Sequence, residues 1–210
     1  MSTSDYKTEA IKFLSEPANL DVALEVAELI EDVKSKFLLD FWHALKSRVS
    51  ESQSELPGWS LRLAGDEELL KPSYAGLEWL PGATHEDGRY LRVRIEQDGY
   101  QIFQGICWNK KTGKDTSEKL SGAIAQIGGI RSRLRDLAGE YNTNPNDWWL
   151  GWKWLNDRKG LKDKSSLLRI REGSLTIGVA DEFLQLAKGV RDSVEQVNSM
   201  LVGMNLGLIE

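Results

Sequence analysis

Apolar positions recur every three or four residues through the first quarter of the chain. Val22, Val26, Ile30, Val33, Phe37, Phe41 and Leu45 set that rhythm, which gathers side chains on one side of an α-helix. Glu25, Glu28, Asp32, Lys36, Asp40 and Lys46 fall largely elsewhere. The spacing predicts a long amphipathic helix over 20–50, with Asn19 or Asp21 placed to accept a free amide at its start. Residues 50–58 are polar and end in Pro57-Gly58, which reads as a loop. Beyond it the period shortens to two. Leu91, Val93 and Ile95 alternate with Arg92, Arg94 and Glu96, the pattern of a half-buried strand. Gln97-Asp98-Gly99 reads as a turn, and Tyr100 to Trp108 as the returning partner strand. Trp59 to Leu63 and Tyr74 to Leu80 are shorter strand candidates, the second bounded by Pro72 and Pro81.

The helical period then returns. Asp115 with Glu118 resembles a capping box. Leu120, Ile124, Ile127, Leu134, Leu137 and Tyr141 would form the apolar face of a central helix, with a break at Gly128-Gly129, where each glycine weakens a helix by about 1 kcal/mol. Trp148 to Leu155 reads as a strand with Trp148, Trp152 and Trp154 on one face. Residues 156–165 form a polar connector, and 167–171 are too few to assign. A last helix is expected from Asp181 to Leu201, with Phe183, Leu186, Val190, Val194, Val197 and Leu201 as its core stripe. The sum is an α+β fold: an antiparallel sheet packed with long N-terminal, central and C-terminal helices. The expected divisions are an N-terminal tail over 1–18, a single domain over 19–202 and a C-terminal tail over 203–210.

Composition narrows the setting. The chain has 210 residues, 40% of them hydrophobic, enough to bury a core without staples. Cys107 is the only cysteine, which excludes an intrachain disulfide. No apolar run approaches the roughly 20 residues that span a bilayer, and residues 1–12 lack the apolar stretch of a secretory signal. A cytoplasmic protein without a membrane partner is expected. The formal net charge is −5, but it is unevenly spread. Residues 1–108 hold 11 basic against 19 acidic side chains, residues 109–171 hold 14 against 7, and residues 172–210 hold 2 against 6. A basic centre between acidic flanks can dock a polyanion. It can also be neutralised by those flanks when the chain folds, which is the preferred reading.

Chemistry is sparse. Transition-metal sites favour His and Cys, and only His43, His85 and Cys107 are available. His43 lies on the first helix and reads as a solvated or core-edge side chain. His85-Glu86-Asp87, between Gly82 and Gly88, reads as a hairpin tip. There is no nucleophile elbow, no Walker loop and no dinucleotide fingerprint. No catalytic residue, metal ligand or cofactor is expected. The remaining candidate is aromatic and basic: Trp148, Trp149, Trp152 and Trp154 precede Arg158, Lys159, Lys162 and Lys164. Aromatic faces can stack bases while cations hold phosphates, although tryptophans on one strand face more often anchor a core. Lys110, Lys111, Lys114, Arg131, Arg135, Arg158 and Lys159 are the candidate contacts to nucleic acid or another partner.

The order of motifs is familiar. A helix ending in FLLDFWHALKSRV (Phe37 to Val49) is followed by the hairpin YLRVRIEQDGYQIFQGICWN (Tyr90 to Asn109), by DWWLGWKWL (Asp147 to Leu155) and by an amphipathic helix. Over 9–202 this resembles the C-terminal accessory half of bacterial and phage proteins of the PD-(D/E)XK nuclease superfamily. The nuclease core of that family needs an Asp and a Glu-x-Lys pair to hold a divalent cation and activate water. Here Asp98 stands where Lys would follow Glu96, and Glu78-Trp79-Leu80 has no Lys either. The resemblance therefore implies a non-catalytic protein-interaction module, working with a separate nuclease or antiviral-defence component, or inhibiting one, in phage–host conflict. A nucleic-acid-binding protein using the basic centre and a divergent metal-dependent nuclease are the alternatives. Homo-oligomerisation remains open.

Overall fold

The computed structural model describes residues 3–82, 90–110, 129–130, 132–136, 141–142 and 148–203. The elements are α1 (Thr3–Leu14), α2 (Leu20–Ser50), β1 (Ser60–Leu63), the single turn α3 (Asp66–Leu69), β2 (Ala75–Leu80), β3 (Leu91–Asp98), β4 (Gln101–Trp108), β5 (Trp149–Trp154), α4 (Lys164–Arg171) and α5 (Ser174–Gly203). Residues 129–130 and 132–136 are also helical. Tyr141, expected at the end of the central helix, is instead non-helical, beside the bridge of Asn142 to Trp152; the rest of that helix, its capping box and Gly128, like His85 and most of the C-terminal tail, lies outside the described residues. The five strands form one antiparallel sheet in the order β1-β2-β3-β4-β5, each pairing with its neighbour in sequence. The fold is α+β, as the two periodicities predict.

Helices α2 and α5 pack on one face of the sheet and on each other. Strand alternation sends Leu77 and Trp79, then Leu91, Val93 and Ile95, then Ile102 and Ile106 to that face, all fully buried. Helix α5 meets them with Phe183, Leu186, Val190, Val194, Val197 and Leu201, the stripe its spacing predicts. Two of the polar side chains built into this layer tie its elements together. Asn198 of α5 accepts from Leu91 N at 2.7 Å and donates to Leu91 O at 3.0 Å, which fixes α5 against the end of β3. Gln97 donates to the carbonyls of Leu69 and Lys71, both at 2.7 Å, and its Oε1 accepts from Trp42 Nε1 at 3.3 Å. A buried polar group costs free energy unless it is paired, and these are paired.

Helix α2 follows its predicted bounds, but its buried face differs from the predicted stripe. Only Leu38, Phe41, Trp42, Leu45 and Val49 are buried, whereas Val22, Val26, Ile30 and Val33 are exposed. Spacings of four overrun a 3.6-residue turn, so Val22 to Leu45 drift by about 140° around the helix. The hairpin turn also falls one residue later than expected. Gly99 and Tyr100, with φ of 57° and 64°, link Asp98 to its partner Gln101, the two-residue connection whose twist suits a hairpin. Tyr100 is held in this unfavourable region by its hydroxyl, which donates to Leu70 O at 3.1 Å. The stretch 1–18, expected as a tail, carries the exposed helix α1. Residues 167–171, left unassigned by their length, complete α4.

Two glycines let adjacent strands approach closely on the other face of the sheet. A Cβ on Gly105 would lie 2.1 Å from Gly151 O, and one on Gly76 would lie 2.0 Å from Ile95 O. Gly178, exposed in α5, has open space at the same position. Glycine-to-alanine changes should therefore have opposite signs. Gly105→Ala is expected to lower stability by about 2 kcal/mol through overpacking, and Gly178→Ala to raise it by roughly 0.5–1 kcal/mol through helix propensity. Urea midpoints of the two variants check this, and shifts of the same sign would refute it.

Candidate functional site

The face of the sheet turned away from α2 and α5 carries the unusual chemistry. Register places Arg62, Glu78, Arg92, Arg94 and Glu96 of β1–β3 there, beside Phe103, Gly105 and Cys107 of β4 and Trp152 and Trp154 of β5. A β-bulge between Ile106 and Cys107 shifts the β5 register, so Trp149 rather than Leu150 pairs with Cys107. Phe103, Cys107 and Trp149 form a small second core, with Trp152 and Trp154 packed against it. Phe103 lies 5.1–5.9 Å from three indoles, and Trp152 and Trp154 meet edge to face at 5.6 Å, a favoured aromatic geometry. The expected core face of Trp148, Trp152 and Trp154 is therefore broken by the bulge, and Trp149 takes the buried place in this second cluster. Trp152 and Trp154 are half-buried, and Trp148 is 44% exposed.

Charged side chains continue the same surface. Glu78 is held between Arg62 and Arg92, with Arg92 Nη1 2.6 Å from Oε2 and Arg62 Nε 2.6 Å from Oε1. Arg94 Nε lies 2.8 Å from Glu96 Oε2, and Arg94 Nη2 donates to Tyr74 O at 3.0 Å. Arg92 and Glu96 are buried although the alternating pattern reads as solvent-facing; they are 8% and 3% exposed. Arg92 Nε and Glu96 Oε2 have no aligned hydrogen-bond partner among the described residues, so the contact to Glu96 acts through charge rather than direction. Burial pushes the Glu96 carboxyl up to about 7, against the pull of Arg94 and Arg92, with Glu78 and Asp98 adding to the rise. Burial likewise raises the Cys107 thiol to about 11, despite Arg92 and Arg94 nearby, so it is a packing residue rather than a nucleophile.

Aromatic and charged groups together line a pocket of about 650 Å³, within the roughly 300–1,000 Å³ of small-molecule sites. The lining runs across neighbouring strands, from Arg92, Arg94 and Glu96 of β3 to Phe103 of β4 and Trp152 and Trp154 of β5. Tyr74 and Trp148, both exposed, stand at its rim.

The basic candidates are distributed differently. Lys111, Lys114 and Arg131 lie outside the described residues. Lys110, Arg135, Arg158 and Lys159 are exposed, and none of them lines the pocket. Arg158 does reach its edge, with the guanidinium carbon 5.8 Å from the Trp154 ring centre. It sits in the run Asn156-Asp157-Arg158, where all three residues have positive φ. Lys162 is bound into the fold by Glu31, Ser35 and the Tyr100 ring, and Lys153 by Glu182 and the Tyr141 ring. His43 is exposed and pairs with Asp66 at 2.9 Å. Among the described residues no three His, Cys, Asp or Glu side chains converge as a metal site, and no helix is long and apolar enough to cross a membrane.

A second surface lies at the N-terminal end. Val22, Val26, Leu29, Ile30 and Val33 form a stripe on the first half of α2, and each is about half or more exposed. Asp21, Glu25, Glu28 and Asp32 cluster within about 60° on another side of the same turns. Residues 3–33 hold eight acidic and two basic side chains. Tyr6, Ile11 and Phe13 of α1 add further exposed apolar area. No family model, curated protein or solved structure matches the chain.

Proposed function

We propose that this protein is a non-catalytic protein-interaction module whose docking element is the exposed apolar stripe of α2. The observation that supports this most is Val22, Val26, Leu29, Ile30 and Val33 standing in solvent on one helix. Contiguous apolar patches are uncommon on monomers and mark interaction sites. The four-carboxylate ridge beside the stripe fits a partner whose apolar face is rimmed by Lys and Arg. Two copies of this chain would bring like-charged ridges together, which disfavours self-pairing. The resemblance to the accessory half of PD-(D/E)XK nuclease proteins points to a separate nuclease or defence component as the class of partner.

A synthetic amphipathic helix of Leu and Lys is the direct probe. The full chain is expected to bind it with micromolar affinity, weakening as salt rises. The double variant Val26→Glu, Ile30→Glu should lose at least tenfold in affinity with an unchanged melting curve, because both side chains are exposed. Absence of binding counts against the reading. So does sedimentation showing a dimer that the double variant dissolves, since the face would then be covered by a second copy.

A further inference from the structure

We infer that the pocket on the second face of the sheet is a guanine-binding site, taking the base either from a free nucleotide or from a single strand of nucleic acid. This is independent of the α2 docking stripe and lies on a different layer of the fold. Glu96 and Arg92 are buried and line the pocket; apart from the ion-pair contact of Glu96 Oε2 with Arg94 at 2.8 Å, neither Glu96 Oε2 nor Arg92 Nε has an aligned hydrogen-bond partner among the described residues. Buried polar groups are normally satisfied, so a ligand with complementary groups is favoured. A carboxylate beside a guanidinium presents acceptors next to donors. Guanine offers the matching edges: its N1–H and N2–H donate to a carboxylate, and its O6 and N7 accept from an arginine. Adenine has a single donor group and no O6, so it satisfies less of this wall.

The neighbouring strands supply the remaining requirement. Trp152 and Trp154 are half-buried, and their rings stand at 88° to one another. A planar base can stack on one and be edged by the other, and stacking on an aromatic face is worth about 1–3 kcal/mol per base. At the edge of the pocket Arg158 is held over Trp154 by a backbone turn that places three consecutive residues at positive φ. Its guanidinium, with exposed Lys159 beside it, is positioned for the phosphate that follows the sugar.

Calorimetric titration of the full chain tests the site with GMP, AMP, inorganic phosphate and a short oligothymidylate carrying one guanine. GMP is expected to bind at least tenfold more tightly than AMP, with no measurable binding of phosphate alone. Glu96→Gln should cut the preference for GMP about tenfold. Trp152→Ala should weaken GMP and AMP alike by about tenfold. If that variant fails to fold, Glu96→Gln decides the matter. An oligonucleotide that binds more tightly than GMP, and loses affinity as salt rises, identifies a strand as the source of the base. One that binds no better than GMP identifies a free nucleotide. The inference is overturned if no nucleotide binds, if phosphate binds as well as GMP, or if GMP binding is unchanged in Glu96→Gln.

Discussion

Trp42→Ala is expected to destabilise the fold by about 3–5 kcal/mol, the usual range for emptying a large aromatic site. Trp42 is fully buried on α2, and Phe41 packs edge-on against it with ring centres 5.2 Å apart. Its Nε1 also donates to Gln97 Oε1. Removing the indole therefore leaves a cavity and a buried amide oxygen without its donor, two penalties of different origin. Trp42→Phe separates them, since it keeps most of the packing and loses only the hydrogen bond; it should cost about 1–2 kcal/mol. Against a typical total of about 5–15 kcal/mol, that is a large share of the stability. Denaturant titration followed by circular dichroism provides the measurement. An alanine variant with the midpoint of the parent would show that α2 is not anchored at this point.

The second large effect is a pH dependence carried by Glu96. Its folded-state pKa of about 7 lies above the ordinary carboxyl range, because burial disfavours the charged form. The folded protein then binds more protons at this group than the unfolded chain does. Its contribution is fully present in the acid range, falls as pH rises through about 7, and is constant beyond. The loss amounts to about 3 kcal/mol. Arg94 and Arg92 oppose it from the same strand, while Glu78 of β2 and Asp98 at the end of β3 reinforce it. Glu96→Gln removes the titration and keeps the shape. The variant should match the parent near pH 4.5 and exceed it by about 3 kcal/mol at pH 8.5. Stability curves that run parallel across this range would mean that Glu96 is ionised at no special cost.

The helix-facing half of this molecule is written plainly in its periodicity, and the other half is not. Phe183 to Leu201 repeat at three and four residues and are buried as that spacing predicts, because α5 is in contact with the sheet along this stretch. The same rule misleads on α2, where apolar residues continue past the point at which the helix leaves the core. Periodicity identifies an apolar face without saying whether the partner that covers it belongs to the same chain. The pocket escaped for a related reason. Arg92, Arg94 and Glu96 look solvent-facing in the alternation of β3. The informative strand was its neighbour: Gln101 to Trp108 is apolar at both parities, with Ile102 and Ile106 on one face and Phe103 and Cys107 on the other. A strand of that composition is covered on both sides, so the charges opposite it had to be paired and sheltered. The bulge that turns Trp149 toward them has no signature in the residue types alone.

The strand order also bears on how the chain is made. Each strand pairs with the one synthesised just before it, so the sheet can assemble hairpin by hairpin as it leaves the ribosome. Half of its shelter, however, comes from α5, which is translated after the last strand. Until residues 174–203 emerge, Leu77, Trp79, Val93 and Ile95 lack the α5 side chains that cover them. A nascent chain at that stage presents an ordered sheet with an apolar side open to solvent, a state that chaperones recognise and that aggregates when they are scarce. Nonsense truncations between β5 and α5 should therefore be far more toxic to the producing cell than truncations before β2, which leave no sheet to expose.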